Sequence, residues 1–330
     1  MKLILPIAGY GKRMRPHTWS RPKVLIDVAG KPMLGHVLDQ FADVGIDEVI
    51  YITGWLGDQV KPYVQANYPQ FRARFVVQDE MVGQSHAIWL ARKHISGPCF
   101  IVFADTISRI DLKAMIKQDA DGVLGVWQVE DPRRFGVAFT RPDGTVERCV
   151  EKPLSTEHKQ AIMGVYYLRE GRDLITAIEE QMARKQMLKG EFFLADAFNR
   201  MLEKGARFLT ETMTVWQDCG VPSYHLATNR WLLEHGNDNS RITFARRVNS
   251  TIVPPVYLAD DCLIEDSTVG PYAVVERGCR VIGSQIKDTI VMADSVVHDS
   301  QLQDSIIGER VVTKGYVGNL NVGDDSQVIG

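Results

Sequence analysis

Leu3-Ile4-Leu5-Pro6-Ile7-Ala8-Gly9-Tyr10-Gly11-Lys12-Arg13-Met14-Arg15-Pro16 opens the chain with an apolar run that stops at a glycine-rich, basic loop. The run from Leu3 to Ile7 reads as a strand, and Arg21-Pro22-Lys23 follows the loop within ten residues. Glycines let successive backbone N–H groups turn toward a polyanion, and cations just beyond them neutralise it. A lone Gly-x-Gly carries little weight. Its place at the C-terminal end of the first strand carries more, because open α/β sheets bind ligands there. The loop is not a Walker A sequence, since no Gly-Lys-Ser/Thr follows at the required spacing. Nor is it the dinucleotide Gly-x-Gly-x-x-Gly, because position 14 is Met.

Outward from this loop, short β-branched runs alternate with amphipathic stretches. Glu48 to Thr53, Arg74 to Gln78 and Phe100 to Ala104 read as strands. Leu34, Leu38, Phe41 and Gly45, and the segment from Gln84 to Lys93, have helical spacing. Crossovers of this length predict a Rossmann-like α/β fold. From about residue 122 strands dominate: Gly122 to Val129, Phe135 to Thr140, Val146 to Glu151 and Gly164 to Leu168. Helical spacing near 173–184 and 194–204 leads to a last strand at Thr212 to Gln217 and a helix from Pro222 to about Glu234. Gly236-Asn237-Asp238-Asn239-Ser240 is the most linker-like stretch. Beyond it, aliphatic residues recur every five or six positions at Leu258, Ile264, Val269, Val275, Val281, Ile286, Val291 and Val297. That period predicts a parallel β-helix, and an antiparallel sandwich would need hairpin turns that are scarce here. The expected division is 1–236 and 237–330.

With 330 residues, 45% hydrophobic and 24% charged, the composition is that of a globular protein. A net charge of −3 gives no basic stripe for nucleic acid. No segment approaches the roughly 20 apolar residues of a membrane span, and the N-terminus lacks the length and cleavage site of a signal peptide. The five cysteines are widely spaced with no Cys-x-x-Cys pair, and they read as reduced thiols of a cytoplasmic protein.

Gly9, Gly11, Arg13, Pro16, Thr18, Pro22 and Lys23 match the N-terminal signature of the sugar-1-phosphate nucleotidylyltransferases, which the chain resembles. It looks most like long-type glucose-1-phosphate thymidylyltransferases, so the resemblance implies a mixed-sheet nucleotidyltransferase domain followed by a short left-handed β-helix. It also implies roles for particular residues. Arg13 would hold the β- and γ-phosphates, and Lys23 would neutralise charge at the α-phosphate. Gln78 and Gly83 have the spacing of the pair that faces the base. Asp105 and Asp218 correspond to metal-binding aspartates, and Gly136, Glu151, Lys152 and Gly164 to residues for the sugar and its phosphate. There are three departures from the family pattern: Lys12, the run Gln84-Ser85-His86, and Val221. None removes a charge that the chemistry needs, but they bear on the choice of base and sugar.

Bringing a sugar-1-phosphate onto an α-phosphate joins two anions, so catalysis is positioning and charge neutralisation. A hard cation with oxygen ligands serves that need, and Mg²⁺ held by Asp105 and Asp218 is the expected cofactor. On its own, Asp105 also reads as a helix cap, and the Glu151–Lys152 pair as a solvated ion pair. The expected reaction uses dTTP, or UTP next, with glucose-1-phosphate. The alternatives are mannose-1-phosphate with GTP, or a silent NDP-sugar-binding regulatory subunit. An acyltransferase role for the repeats lacks a catalytic His beyond His298. The repeats instead suggest support and homo-oligomer assembly, because terminal coils leave exposed faces.

Overall fold

In the computed structural model, which describes residues 1–330, the opening apolar run forms β1 (Lys2–Pro6), with Leu3, Ile4 and Leu5 fully buried. Burial on both faces suits a central strand of a helix-covered sheet and explains a run with no polar alternation. β2 (Glu48–Thr53), β3 (Arg72–Val77) and β4 (Cys99–Val102) lie parallel to it in the order β4-β1-β2-β3. The later strands are β5 (Gly122–Gln128), β6 (Gly136–Thr140), β7 (Val146–Glu151) and β8 (Gln160–Leu168). β8 pairs antiparallel with β4, β5 and β6, and β6 with β7. β9 (Phe208–Thr212) adds parallel to β5 and completes a nine-stranded mixed sheet. This is the Rossmann-like mixed sheet expected from the alternation together with the family resemblance.

The helices α1 (Gln84–Leu90), α2 (Gly171–Ala183) and α3 (Leu194–Glu203) cover one side of this sheet. Their Ile88, Leu174, Ile178 and Phe198 share a core with Ile4, Ile50, Ile101 and Tyr166. The expected strand over 212–217 is interrupted in the fold. Met213 donates its N–H to Val126 and Thr214 donates to Arg109, so adjacent residues bond to different partners and the run splits into Phe208–Thr212 and Val215–Asp218.

By compactness the chain forms two units. The first comprises Met1–Gly9, Val37–Ala104 and Ser108–Trp216 and holds the nine-stranded sheet; the second comprises Tyr10–His36, Asp105–Ile107 and Gln217–Gly330. In the second unit Arg246, Leu263, Arg280, Val296, Val312 and Gln327 stack in parallel register, which gives coils of 15–17 residues and a parallel β-helix. All eight repeat positions noted above are at most 1% exposed, so the aliphatic period is the period of inward-facing side chains. At one corner hydroxyls stack: Ser284 N–H donates to Ser267 Oγ and Ser300 N–H to Ser284 Oγ, both at 3.0 Å, satisfying backbone groups that the turn leaves without strand partners.

The remainder of the second unit packs on this solenoid. Met14, Ile26, Val28 and Met33 share a core with Leu226 and Leu232 of α4 (Pro222–Leu232) and with Val274, Ile290, Met292 and Ile306 of the coils. Asn229 of α4 accepts from the Ala29 N–H and donates to Tyr272 O. The stretch read as linker-like is tied down. Asp238 Oδ1 accepts from the N–H of Ser240 and of Val256, and Asn239 bonds both the N–H and the C=O of Leu258. No helix is long and apolar enough to cross a membrane. All five cysteines are buried free thiols.

Candidate active site

Two groups of the expected residues gather, one in each unit. In the second unit, Gly11 has φ +60° and a Cβ there would stand 2.7 Å from Thr18 Cγ2, so a side chain is excluded by both conformation and space. The Thr18 hydroxyl donates to Gly11 O at 3.0 Å, and the Met14 N–H donates to the same carbonyl at 2.8 Å. Met14 is fully buried, which turns its neighbour Arg13 outward. Lys23 follows after a second short turn, its Nζ 3.1 Å from Asp105 Oδ2.

The backbone of Asp105 accepts from Cys219 N–H, which sets Asp105 beside the Asp218–Gly220 turn. Asp218 Oδ1 accepts from Gly220 N–H at 2.6 Å, and Thr228 Oγ1 donates to Asp218 O. A Cβ on Gly220 would stand 2.7 Å from Asp218 Oδ1 and 3.1 Å from Arg13 Nη2, so Arg13 and Asp218 flank that glycine closely. Arg13, Lys23, Asp105 and Asp218 therefore form one cluster with two cations and two carboxylates. Oδ1 of Asp105 and Oδ2 of Asp218 have no protein partner. Hard oxygen donors of this kind fit Mg²⁺, which takes one or two carboxylates and completes its shell with water and phosphate oxygens.

In the first unit, Gln78 directly follows the edge strand β3 and is 5% exposed, with its Nε2 donating to Glu80 O at 3.1 Å and Gly83 O at 3.5 Å. Gly83 has φ +113°, and a Cβ there would lie 2.4 Å from Phe192 N and 2.5 Å from Phe192 O. That closeness follows from pairing: Phe192 N–H donates to Val82 O and Ser85 N–H to Phe192 O. Gly136 and Glu151 face each other across β6 and β7, and a Cβ at Gly136 would be 3.0 Å from Glu151 Oε2.

Lys152 adopts φ +48°, unusual for a side-chain-bearing residue, with its N–H bonded to Phe135 O at 2.9 Å. Its Nζ lies 3.6 Å from Glu151 Oε1 and 4.3 Å from the centre of the Phe193 ring. Burial pushes the Glu151 carboxyl above its ordinary value; Lys152 pulls it down, while Asp196 and Glu191 add to the rise. Gly164 sits at a break in the β8–β5 register with φ +70°, its carbonyl accepting from Phe103 N–H, and a Cβ there would stand 3.1 Å from Phe103 Cδ2. Gly9 is open, with nothing within 4 Å of a would-be Cβ.

Glu191, Phe192 and Phe193, between Gly190 and α3, were not singled out by the sequence reading. They link the Gly83 turn to Lys152. The available signal was a pair of consecutive aromatics at a helix entry, which by itself reads as core.

The nucleotidyl transferase family model matches residues 2–234. Among characterised proteins, the chain is 27% identical to glucose-1-phosphate thymidylyltransferase of Streptomyces antibioticus, over 94% of this chain and 93% of that one. It is 26% identical to bifunctional protein GlmU of Methanococcus vannielii, over 98% and 78% respectively. Among solved structures, a UDP-glucose pyrophosphorylase complexed with UDP-glucose superposes with a TM-score of 0.62 at 21% identity, covering 71% of this chain and 98% of that one, a likeness of fold.

Proposed function

From the membership of this chain in the nucleotidyl transferase family, we propose that it moves a nucleotidyl group from a nucleoside triphosphate to a sugar-1-phosphate, giving an NDP-sugar and pyrophosphate. dTTP is the donor we favour, with UTP next, and glucose-1-phosphate the acceptor. The near full-length similarity to a glucose-1-phosphate thymidylyltransferase supports that choice. The observation that carries the reading is the cluster of Arg13, Lys23, Asp105 and Asp218 next to a glycine turn.

An oxygen of the sugar phosphate attacks the α-phosphorus and forms a new P–O bond. The bond from the α-phosphorus to the oxygen bridging toward the β-phosphorus breaks, and its electron pair leaves with pyrophosphate. The attacking oxygen is already ionised at neutral pH, so no general base is required. Arg13 and the amides of Gly9 and Gly11 hold the β- and γ-phosphates, and Lys23 releases Asp105 to neutralise the α-phosphate. Lys152 holds the sugar phosphate and Glu151 accepts from sugar hydroxyls, with Gly136 and Gly164 leaving room for the ring. Gln78 and Gly83 meet the base. Asp105 and Asp218 would hold Mg²⁺, which supplies charge neutralisation at phosphate oxygens.

We assign this chemistry to residues 1–236 and the repeats to 237–330, in a cytoplasmic homo-oligomer. A panel of four nucleoside triphosphates against several sugar phosphates, scored by pyrophosphate release, tests the reading. dTTP with glucose-1-phosphate should give the highest kcat/KM. Preference for GTP with mannose-1-phosphate would replace the substrate assignment, and no release with any pair would favour a silent binding subunit.

A further inference from the structure

The segment that follows Arg13 is fastened to the last coils of the β-helix. Arg21, whose side chain is only 10% exposed, places Nη2 2.9 Å from Glu309 Oε1 and 2.9 Å from Asp324 Oδ2. The Asp324 side chain is 5% exposed and fully engaged: Oδ2 also accepts from Ser20 Oγ at 2.7 Å, and Oδ1 from Glu309 N–H at 2.8 Å. His17, completely buried, sets Nε2 2.6 Å from Asn321 Oδ1. Pro16 packs on Gly323 so closely that a Cβ there would lie 3.0 Å from Pro16 Cβ.

Thr18 sits inside this fastened stretch, 1% exposed, and it is the residue that bonds and backs Gly11. A continuous path thus runs from Glu309, Asn321 and Asp324, through Arg21 and His17, to Thr18 and the Gly11 carbonyl. Each hydrogen bond or ion pair along it is 3.0 Å or shorter, and His17, Thr18, Arg21 and Asp324 are buried or nearly so, while Asn321 and Glu309 meet them from the rim of the coils. A guanidinium removed from water keeps its place only while its carboxylates hold theirs, and these carboxylates stand on the stacked coils. Both carboxylates meet the single Nη2 while Nε is buried without a hydrogen-bond partner, so these two contacts are what hold the guanidinium in place.

We propose that Glu309, Asn321 and Asp324 are positioning residues for nucleotidyl transfer, which shape the Gly11 turn for the triphosphate through Arg21, His17 and Thr18. The repeats then serve the reaction as well as any assembly. This inference rests on the assignment of the Gly9–Arg13 loop to the triphosphate.

The test uses the full chain carrying Asp324→Asn with Glu309→Gln, alongside Arg21→Ala, Arg21→Lys and Arg13→Ala, with KM for both substrates, kcat and a thermal melt for each. The double variant and Arg21→Ala should raise KM for the triphosphate at least about 10-fold, the scale of lost charge-assisted contacts, and leave KM for the sugar phosphate within about twofold. Arg21→Lys should recover part of that loss. A purely structural role would lower the amount of active enzyme, hence apparent kcat, without moving KM. An unchanged triphosphate KM in the double variant, with Arg13→Ala still raising it, overturns the positioning role alone. If Arg13→Ala also leaves it unchanged, the assignment of the loop fails first. Should the double variant not fold, Asp324→Asn alone carries the same two outcomes.

Discussion

Replacing Gly83 with alanine tests how the base-side turn and the sugar-phosphate side are joined. At φ +113° and ψ 174° the backbone is in a region open essentially to glycine, which costs about 1–3 kcal/mol for any other residue. The added Cβ would also meet Phe192 N at 2.4 Å and Phe192 O at 2.5 Å. These are backbone atoms, so no rotamer change relieves the overlap, and overpacking of this kind adds about 1–3 kcal/mol. The total, about 2–6 kcal/mol, equals or exceeds the roughly 2 kcal/mol that the Ser85–Phe192 and Phe192–Val82 hydrogen bonds return together at about 1 kcal/mol each, so the 190–193 segment should move away.

Phe193 moves with it, and Phe193 lies 4.3 Å from Lys152 Nζ. Gly83→Ala should therefore raise KM for both substrates and lower Tm by at least about 4 °C, taking about 2 °C per kcal/mol for a unit of this size. Gly144→Ala is the control: φ is +83° but nothing lies within 4 Å, so it should show backbone strain alone and unchanged KM values. Steady-state kinetics and calorimetric melts on both variants suffice. A Gly83→Ala protein with parental Tm and parental KM values would show that the turn and Phe192 are not packed in this way.

Asp105→Asn and Asp218→Asn should each lower turnover at least about 100-fold at saturating Mg²⁺ without unfolding the chain, as followed by pyrophosphate release and circular dichroism. Lys152→Ala should chiefly raise KM for the sugar phosphate and Arg13→Ala KM for the triphosphate; the reverse pattern in substrate titrations would exchange their roles. In the second unit the buried carboxyls of Asp27 and Glu276 act on each other, and Asp27 Oδ1 and Glu276 Oε1 are shielded from water without a hydrogen-bond partner, so one carboxyl should carry a proton. Burial raises both; Arg21 opposes the rise at each, Arg277 also opposes it at Asp27, and Glu309 adds to it there. Because the native state binds the extra proton, this stabilisation is complete below the ordinary carboxyl range near pH 4. It is lost as pH rises through the raised native values, at up to about 1.4 kcal/mol per pH unit. Urea unfolding from pH 4 to 8 should show that slope, and Asp27→Asn, which keeps a donor for Glu276, should flatten it.

Periodicity and local conformation were readable directly. A strand buried on both faces has no polar alternation, as in Leu3 to Ile7, and an inward residue every five or six positions is what a coil of three short sides requires. These are statements about neighbours along the chain, where spacing is geometry. Gly11 and Gly83 were likewise visible as glycines, but the reason each must be one was not: Thr18 excludes a side chain at the first and the backbone of Phe192 at the second.

Which distant residues meet is settled by the packing of the whole chain. The stretch from Gly236 to Ser240 has a linker's composition, yet Asp238 and Asn239 spend their polar atoms on the amides and carbonyl of Val256 and Leu258. Phe192-Phe193 reads as ordinary core until Lys152 is placed above one ring. Arg21 reads as one more cation near a phosphate loop, and its partners Glu309 and Asp324 lie about 300 residues away. Side-chain spacing encodes contacts within a turn or a strand. A salt bridge across that separation depends on the rise and register of every intervening coil, so Arg21 and Asp324 show their relation only once the chain has folded.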